Sequence, residues 1–311
     1  MRKVRVASVS FSGAGRASTV QETIERNLKA MMKLLERAYA DEPDIVCFPE
    51  CSPMLGLSLE EMVKVAGEFS KKIIEAVSLR AKDYGIYIVC PIIEKEGGLI
   101  YNSAILIGRD GAVIGRYYKI YPTIGEMEAG ITPGIEPKTF KIDLGTIGIL
   151  ICFDLNFENV IKGLAENNAE LIFFPSMYPG GLQLKMWAFK YGLYFVSALT
   201  GEGSMIVDPL GRILAVSSVY SPVICKTINL DYKIIHIDYN YEKMDAIKKK
   251  YGSKVDIEVS RSEGIFMLTS NLEDLSVNEV MRDFQLETRE EYFHRSESIR
   301  AETLKKKFSL K

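Results

Sequence analysis

The chain has 311 residues, of which 47% are hydrophobic and 26% are charged, as is typical of a globular protein. Its 39 Lys and Arg nearly balance its 41 Asp and Glu, so the net charge of -2 gives no electrostatic reason to expect a nucleic acid or membrane partner. No apolar run approaches the ~20 residues of a membrane-spanning helix, and no signal-peptide core follows the N-terminus, so we expect a cytoplasmic protein.

The first half of the chain alternates strands and helices. Residues 3–10 alternate apolar and polar side chains as a strand does, and residues 19–40 carry apolar side chains at helical spacing. The run DIVCFPE at 44–50 predicts a short strand that Pro49 stops, and residues 58–83 predict a second amphipathic helix. Turns at EKEGG and GRDG separate three further predicted strands: 86–93, 99–107 and 112–120.

The second half repeats this order. Strands at 138–143 and 146–152 precede a helix near 157–168, and a strand at 170–176 precedes a helix at 182–192. The predicted elements that follow are a strand at 193–199, two short strands around the turn at 208–212, a strand at 227–238 and a helix at 241–251. Nearly continuous Ile, Leu, Val and Phe strands alternating with helices predict an α/β fold whose sheets are covered by helices.

The C-terminal part is charge-rich and helix-prone. No linker or low-complexity segment interrupts the chain before it, so we predict one domain over residues 1–255 and a helical or irregular extension over 256–311. The extension retains apolar side chains such as Leu275, Val280 and Phe284. We therefore expect it to pack on the domain or on a partner subunit.

Cysteine and histidine usage argues against disulfides, metals and a histidine base. The five cysteines are odd in number and lie mostly in apolar runs, as buried reduced thiols do. Cys47 and Cys51 have no second Cys or His pair to complete a zinc site. The two histidines, His236 in a strand and His294 in the charged extension, have ordinary structural interpretations. We expect no metal and no cofactor.

Three reactive side chains follow the ends of predicted strands: Glu50 after DIVCFP, Lys119 after AVIGRYY and Cys152 after TIGILI. In open α/β sheets, functional side chains gather beyond the carboxyl ends of strands. Each of these groups is costly to bury alone, whereas a carboxylate and an ammonium offset each other. Taken singly, each also has an ordinary interpretation, as a core thiol, a surface lysine or a turn cap.

A thiol, a carboxylate and an ammonium form a hydrolytic set that needs no histidine. A free thiol has a pKa of ~8.5 and needs a neighbouring base or cation to attack a carbonyl or nitrile carbon efficiently at neutral pH. Glu50 could take the proton of Cys152 and later activate the water that resolves a thioester. Lys119 and the backbone N–H of Phe153 could stabilise the oxyanion.

Three segments, taken together and in this order, resemble the nitrilase superfamily of carbon–nitrogen hydrolases over roughly residues 3–240. The first segment, CFPE at 47–50, resembles the one that carries the family's glutamate base. The second, RYYKIYPTIGEMEAGITPG at 116–134, resembles the one that carries its lysine. The third, GILICFDLNFEN at 148–159, resembles its cysteine elbow. The resemblance implies a four-layer αββα sandwich. It also implies that the glutamate, the lysine and the cysteine of these segments act as general base, oxyanion stabiliser and nucleophile.

The resemblance further implies a second glutamate that orients the lysine and the base. Glu126 and Glu128 both lie between Lys119 and the Thr132-Pro133-Gly134 turn, and Glu126 is favoured because it directly follows Gly125. Ordinary loop charge is the alternative for both. The chain departs from many family members after Lys119, where it has Ile-Tyr-Pro, and after the cysteine, where it has Phe-Asp; these differences leave the subfamily and the substrate open.

Substrate-binding candidates lie around the predicted strand ends. Aromatic side chains in the segment after strand 170–176 could line a pocket, with Tyr178 the best candidate and Trp187 a second; core or dimer packing is the alternative. Phe153 and Glu128 complete this set.

Three polar residues near the site have structural interpretations. Asp154 is expected to anchor the cysteine turn by accepting its N–H groups, and Asn156 to cap the helix that follows. Asn102 is expected to be a hydrogen-bonding residue of the sheet with no catalytic role.

The favoured function is hydrolysis of a small linear amide or carbamoyl compound through a cysteine thioester, with release of ammonia or an amine. Nitrile hydrolysis and acyl transfer to an amine at the same site remain alternatives, as does a non-catalytic binding protein that retains the fold. Two isolated histidines disfavour a metal-dependent phosphoesterase. The expected partners are a small amide or nitrile and, by resemblance, a second copy of the chain in a homodimer or higher homo-oligomer.

Overall fold

The computed structural model describes residues 2–308. Its strands are β1 (Lys3–Val9), β2 (Ile45–Cys47), β3 (Tyr87–Glu96), β4 (Leu99–Ile107), β5 (Val113–Tyr118), β6 (Thr139–Ile142), β7 (Gly145–Ile149), β8 (Leu171–Ser176), β9 (Tyr194–Leu199), β10 (Met205–Val207), β11 (Ile213–Val216), β12 (Val223–Asn229), β13 (Tyr232–His236), β14 (Val255–Ser260) and β15 (Ile265–Ser270). Its helices are α1 (Val20–Tyr39), α2 (Leu59–Tyr84), α3 (Ile124–Glu128), α4 (Glu158–Glu166), α5 (Gly181–Tyr191), α6 (Met244–Tyr251), α7 (Val277–Asp283) and α8 (Arg289–Phe308).

The chain forms two compact units. The first is Val4–Ile228, and the second comprises residues 229–308 together with residues 2–3. The boundary placed at residue 255 from the sequence lies inside the second unit, where β14 begins. The single strand predicted over 227–238 is wrong, because the chain turns at Leu230 and Asp231 and the two halves of that segment, β12 and β13, join different sheets.

The first unit is the predicted four-layer αββα sandwich, which is confirmed. One six-stranded sheet has the order β12-β1-β2-β3-β4-β5, and the other has the order β11-β10-β9-β8-β7-β6. In each sheet three successive parallel strands alternate with helices and lead into antiparallel strands. The two sheets pack on each other, and the buried Ser8 hydroxyl donates to the Ser197 carbonyl at 2.6 Å between the layers.

Helices α1 and α2 cover the outer face of the first sheet because their apolar stripes match its Ile and Val side chains. Ile24, Met31 and Leu35 of α1 are at most 2% exposed, and they share one core with Ile73 and Val77 of α2. The helices predicted over 19–40 and 58–83 are confirmed. Each begins at a side chain that accepts a free helix N–H: Thr19 at α1, and Ser58, which forms a reciprocal capping box with Glu61, at α2.

The second unit is a three-stranded antiparallel sheet of order β13-β15-β14 with helices α6, α7 and α8. Ile235, Phe266, Leu268 and Val280 form its core. The helices of the predicted extension are present. Strands β14 and β15 were not predicted: no element was assigned between the helix predicted at 241–251 and residue 270, although Val255, Ile257 and Val259 alternate with charged residues as a strand does.

Candidate active site

Four side chains singled out in the sequence line one cavity in the first unit. Glu50 lies three residues beyond β2, Lys119 directly follows β5, Glu126 lies on α3, and Cys152 lies three residues beyond β7. The cavity has a volume of about 520 Å³, within the range of about 300–1,000 Å³ that holds small molecules. The two sheets therefore bring to one place groups that are far apart in the chain.

Lys119 is held between two carboxylates. Its Nζ lies 2.8 Å from Glu50 Oε1, 2.8 Å from Glu126 Oε2 and 3.1 Å from Glu126 Oε1. Lys119 is 1% exposed, Glu50 2% and Glu126 9%, so water does not screen these charges. The structure brings Glu126 to the lysine and leaves Glu128 exposed at the end of α3.

The short helix α3, which was not predicted, orients Glu126. Thr123 caps this helix: its hydroxyl accepts from Glu126 N, and its own N–H donates to Glu126 Oε2 at 2.7 Å. The glutamate that caps the helix is thus the same one that binds Lys119. The pattern T-x-x-E at 123–126 is a capping-box signature that could have revealed both the helix and the orientation of the carboxylate.

Asn102 lies in β4 and hydrogen-bonds within the sheet as predicted, and its side chain also belongs to the same cluster. Its Nδ2 donates to Glu50 Oε1 at 2.8 Å and to Glu126 Oε1 at 2.7 Å, and the residue is 1% exposed. The backbone carbonyl of Asn102 also accepts a hydrogen bond from Lys119 N at 2.9 Å, across the pair of strands β4 and β5. An amide in the mostly apolar strand 99–107 was the available signal, because a buried amide needs partners.

The turn at Cys152 is built on a buried carboxylate. Cys152 has φ 49°, in the left-handed region, and it opens a 3-10 turn that runs to Asn156. Asp154 accepts from Ile151 N at 2.9 Å, from Tyr121 N at 2.7 Å and from the Tyr117 hydroxyl at 2.8 Å, so its predicted anchoring role is confirmed. Burial raises the pKa of Asp154 to about 6, against the effect of these hydrogen bonds.

Asn156 does not cap α4, and that prediction is wrong. Phe157 occupies the position before α4, with no side-chain cap. The Asn156 amide instead donates to the Phe153 carbonyl at 3.1 Å and to the Tyr178 hydroxyl at 3.3 Å. Asn156 therefore links the cysteine turn to Tyr178.

The surroundings of Cys152 keep its thiol protonated. Burial and the charge of Glu50 raise its pKa to about 12, although Lys119 and a hydrogen bond from Met177 N act in the opposite direction. Burial alone would lower the pKa of Lys119, but Glu50, Cys152 and Glu126 outweigh it and hold that pKa above its ordinary value. The cluster thus holds a neutral thiol beside a charged lysine at neutral pH, and the thiol must lose its proton to a base as it reacts.

The other predicted pocket residues lie beside the cavity and are not among its lining residues. Phe153 is 37% exposed and packs edge-on against Phe157. Trp187 Nε1 donates to the Leu155 carbonyl at 2.9 Å. Burial raises the pKa of Tyr178 to about 12. Substrate-binding roles for Phe153, Tyr178, Trp187 and Glu128 stay predictions.

Gly134 supports the backbone on which Lys119 sits. Its N–H donates to the Lys119 carbonyl at 2.8 Å, and a Cβ at this position would lie 2.3 Å from the Tyr118 carbonyl oxygen. Gly134→Ala is therefore expected to displace the backbone at Lys119, to lower the free energy of unfolding by about 1–3 kcal/mol and to lower kcat/KM for the reaction proposed below. Chemical denaturation and initial rates measure the two effects. Gly125→Ala, where a Cβ meets nothing within 4 Å, is the matched control for stability; equal stability of the two variants would contradict the prediction.

Comparison with known proteins identifies the family. The model of the carbon-nitrogen hydrolase family matches residues 5–233. The omega-amidase NIT2 of Xenopus tropicalis is 25% identical over 261 residues, which cover 75% of this chain and 91% of that protein. A nitrilase of Pyrococcus abyssi is 31% identical over 212 residues, which cover 62% of this chain and 79% of that protein.

Solved structures share the fold. The amidase of a Nesterenkonia species superposes with a TM-score of 0.65 at 20% identity and covers 80% of this chain and 96% of its own. Nit3 of Saccharomyces cerevisiae superposes with a TM-score of 0.63 at 20% identity, covering 81% and 95%. The match to the family model extends over well more than half of the sequence and contains every residue of the cluster described above. The chain belongs to the carbon-nitrogen hydrolase family.

Proposed function

We propose that this protein hydrolyses the C–N bond of a small linear amide through a thioester on Cys152. The observation that carries the proposal is the cavity in which the Cys152 thiol, the Glu50 carboxylate and the Lys119 ammonium all lie, with Lys119 2.8 Å from Glu50. Acyl transfer requires a nucleophile, a base and a cation together in a cavity that is partly shielded from solvent.

The first half of the reaction forms the thioester. Glu50 takes the Cys152 proton as the sulfur bonds to the amide carbon, and the carbonyl oxygen becomes an oxyanion that Lys119 and the Phe153 N–H stabilise. Glu50 then gives the proton to the leaving nitrogen, the C–N bond breaks, and ammonia leaves. The pKa of about 12 at Cys152 supports this order, because a thiol that resists ionisation needs a base at the moment of attack.

The second half returns the enzyme. Glu50 takes a proton from a water molecule whose oxygen bonds to the thioester carbon, the C–S bond breaks, and the sulfur recovers the proton. Met177 N donates to Glu50 Oε2 at 3.1 Å, and Asn102 and Lys119 both donate to Oε1. These three donors support a fixed orientation of the base through both halves, and Glu126 fixes Lys119 in the same way.

Amides are preferred as substrates because the relatives include several named omega-amidases. The relative named nitrilase supports nitrile hydrolysis as a second candidate. Either substrate class passes through a covalent Cys152 intermediate, and an amine in place of water would give acyl transfer.

Ammonia release from a panel of primary amides and the matching nitriles tests the proposal. Amides are expected to release ammonia, and addition of hydroxylamine is expected to divert the thioester to a hydroxamic acid. Mass spectrometry of acid-quenched enzyme is expected to find the acyl group on Cys152 and on none of the other four cysteines. Turnover without any acyl-cysteine and without hydroxamate would contradict the mechanism.

We also propose that the protein is a cytoplasmic homo-oligomer, with a catalytic domain over residues 1–255 and a C-terminal extension over residues 256–311. Helix α8 supports an oligomer, because it exposes Phe293, Ile299 and Phe308 by 48%, 53% and 68%, and a partner subunit could cover such apolar side chains. Within residues 2–308, no helix is both long and apolar enough to cross a membrane. Sedimentation equilibrium measures the oligomeric state, and a monomer at micromolar concentration would contradict the proposal.

A further inference from the structure

The cavity at Cys152 has an apolar wall. Away from the ionic cluster its lining side chains come from the segment before α2, from α2 itself, from β3 and from the residue after β8: Leu55, Leu57, Leu59, Met62, Ile93 and Met177. Leu57 and Met62 are only 7% and 6% exposed, so the wall is packed against the protein. Such a wall stabilises the alkyl part of a ligand by removing it from water.

The charged side chains that line the cavity carry a net negative charge. Among the described residues that line it, Lys119 carries the only positive charge, and it is paired at 2.8 Å with both Glu50 and Glu126. With both carboxylates ionised, one ammonium faces two carboxylates. An anionic group on a ligand would meet net repulsion and would find no cation in the lining that is available to pair with it.

The rim at Gly56 does not change this balance. The backbone of Arg16 lies near Gly56, but its guanidinium holds Glu61 with two hydrogen bonds of 2.6 and 3.0 Å. Glu61 also accepts from Ser58 N at 2.9 Å in the capping box of α2. A ligand carboxylate could pair with Arg16 only by displacing Glu61, which forms the capping box of α2 with Ser58.

We propose that the site selects primary amides with a neutral, apolar chain and discriminates against amides that end in a carboxylate. This inference rests on the proposed function and names its substrate class. The amide carbon meets Cys152, and the alkyl chain lies along the wall formed by Leu55, Leu57 and Met62. Hydrolysis then gives ammonia and a carboxylate, and the new anion forms beside Glu50 and Glu126, whose charge favours its departure.

A matched series of six-carbon amides tests the proposal: hexanamide, the monoamide of adipic acid and 6-aminohexanamide. We expect kcat/KM for hexanamide to exceed that of the adipic monoamide by about 30-fold or more, the factor for like charges roughly 8 Å apart at an effective dielectric of about 20. From acetamide to hexanamide we expect kcat/KM to rise by about fourfold for each methylene that the wall buries. The ammonium-ended amide should react faster than the adipic monoamide, because the net negative charge of the cavity opposes a carboxylate and not an ammonium.

A charge introduced into the wall provides the second measurement. Leu59 is half-buried in the first turn of α2, and Leu59→Lys is expected to lower the ratio of kcat/KM for hexanamide to that for the adipic monoamide by at least tenfold. Leu79→Lys, at a 64% exposed position on the same helix, makes the same change of charge away from the cavity and is expected to leave the ratio unchanged.

The outcomes separate the two proposals. If amides are hydrolysed and the adipic monoamide reacts as fast as hexanamide or as 6-aminohexanamide, the inference about the chain is wrong while the proposed reaction stands. If the Leu59→Lys and Leu79→Lys proteins have the same ratio of kcat/KM for hexanamide to that for the adipic monoamide, the alkyl chain of the substrate does not lie along this wall. The inference is then also wrong. If no amide in the series releases ammonia, the proposed function fails and the inference fails with it.

Discussion

Replacing Glu50 by glutamine is expected to change two properties of Cys152 in opposite directions. Amide hydrolysis should fall by about 10³-fold or more, because Glu50 is the proposed base in both halves of the reaction. General acid–base catalysis contributes about 10²–10⁴-fold to a single step. Alkylation of the thiol by iodoacetamide should accelerate, because burial and then the Glu50 charge are the causes that raise the pKa of Cys152 to about 12. Removing that charge lowers the pKa and increases the thiolate fraction at any pH below it.

Initial rates of ammonia release and peptide mapping of iodoacetamide adducts measure the two effects. Mapping is needed because Cys225 is also partly exposed, whereas Cys47, Cys51 and Cys90 are buried. Glu60→Gln, on the exposed face of α2, is the matched control and should change neither rate. If Glu50→Gln slowed alkylation in parallel with hydrolysis, the assignment of the raised Cys152 pKa to the Glu50 charge would be wrong.

Replacing Lys119 by methionine is expected to cost both activity and stability. Methionine keeps the length of the side chain but leaves Glu50 and Glu126 buried without a cation, and breaking a buried ion pair in this way costs about 3–5 kcal/mol. Separately from this loss of stability, removal of the proposed oxyanion donor should lower kcat by a factor of about 10²–10³. Urea denaturation and initial rates measure the two losses.

The pH dependence of stability should reverse in the Lys119→Met protein. In the native chain burial works against the carboxylate of Glu126, but Lys119 outweighs it and holds the pKa of Glu126 below its ordinary value. This interaction therefore stabilises the protein above the ordinary pKa of a glutamate, about 4.3, and is lost as the pH falls. Without the lysine, burial raises the carboxylate pKa in the folded state, so stability should increase as the pH falls from 7 toward about 5.

A second substitution checks that charge is the cause. Lys119→Met combined with Glu126→Gln removes one of the two uncompensated carboxylates, and it should recover a measurable part of the lost stability while activity stays low. Equal stability of the single and double variants would contradict the assignment of the loss to buried charge.

The elements that depend on a repeating pattern were predictable from the sequence. Helices α1 and α2 and the strands of the first unit follow the helical and alternating spacing of apolar residues, because burial of one face is what stabilises them. Glu50, Lys119 and Cys152 were identifiable because reactive groups directly after apolar strands are costly unless they meet one another. Their cavity is consistent with that expectation.

Features that depend on partners distant in sequence were not predictable in the same way. Asn102 looked like a polar residue in a strand, since its partners Glu50 and Glu126 reach it only after the first sheet and the short helix α3 have formed. The apolar wall of the cavity was missed for the opposite reason, because Leu55 and Leu57 carry no reactive group and lie in a loop without a repeating pattern. The break at Leu230 was missed because apolar residues continue on both sides of it.

One hydrogen bond joins the two sheets at Glu50. Its donor is Met177 N, which follows β8 of one sheet, and its acceptor is Oε2 of Glu50, which follows β2 of the other. The first sheet alone therefore lacks one of the three donors that orient Glu50, and Cys152 follows a strand of the other sheet. During refolding from denaturant, each half gains its secondary structure from contacts within its own sheet, whereas turnover requires the halves to have docked. The return of catalysis should accordingly lag behind the return of the far-ultraviolet circular dichroism signal, and it should share the time course with which Ser8 and Ser197 become inaccessible to solvent.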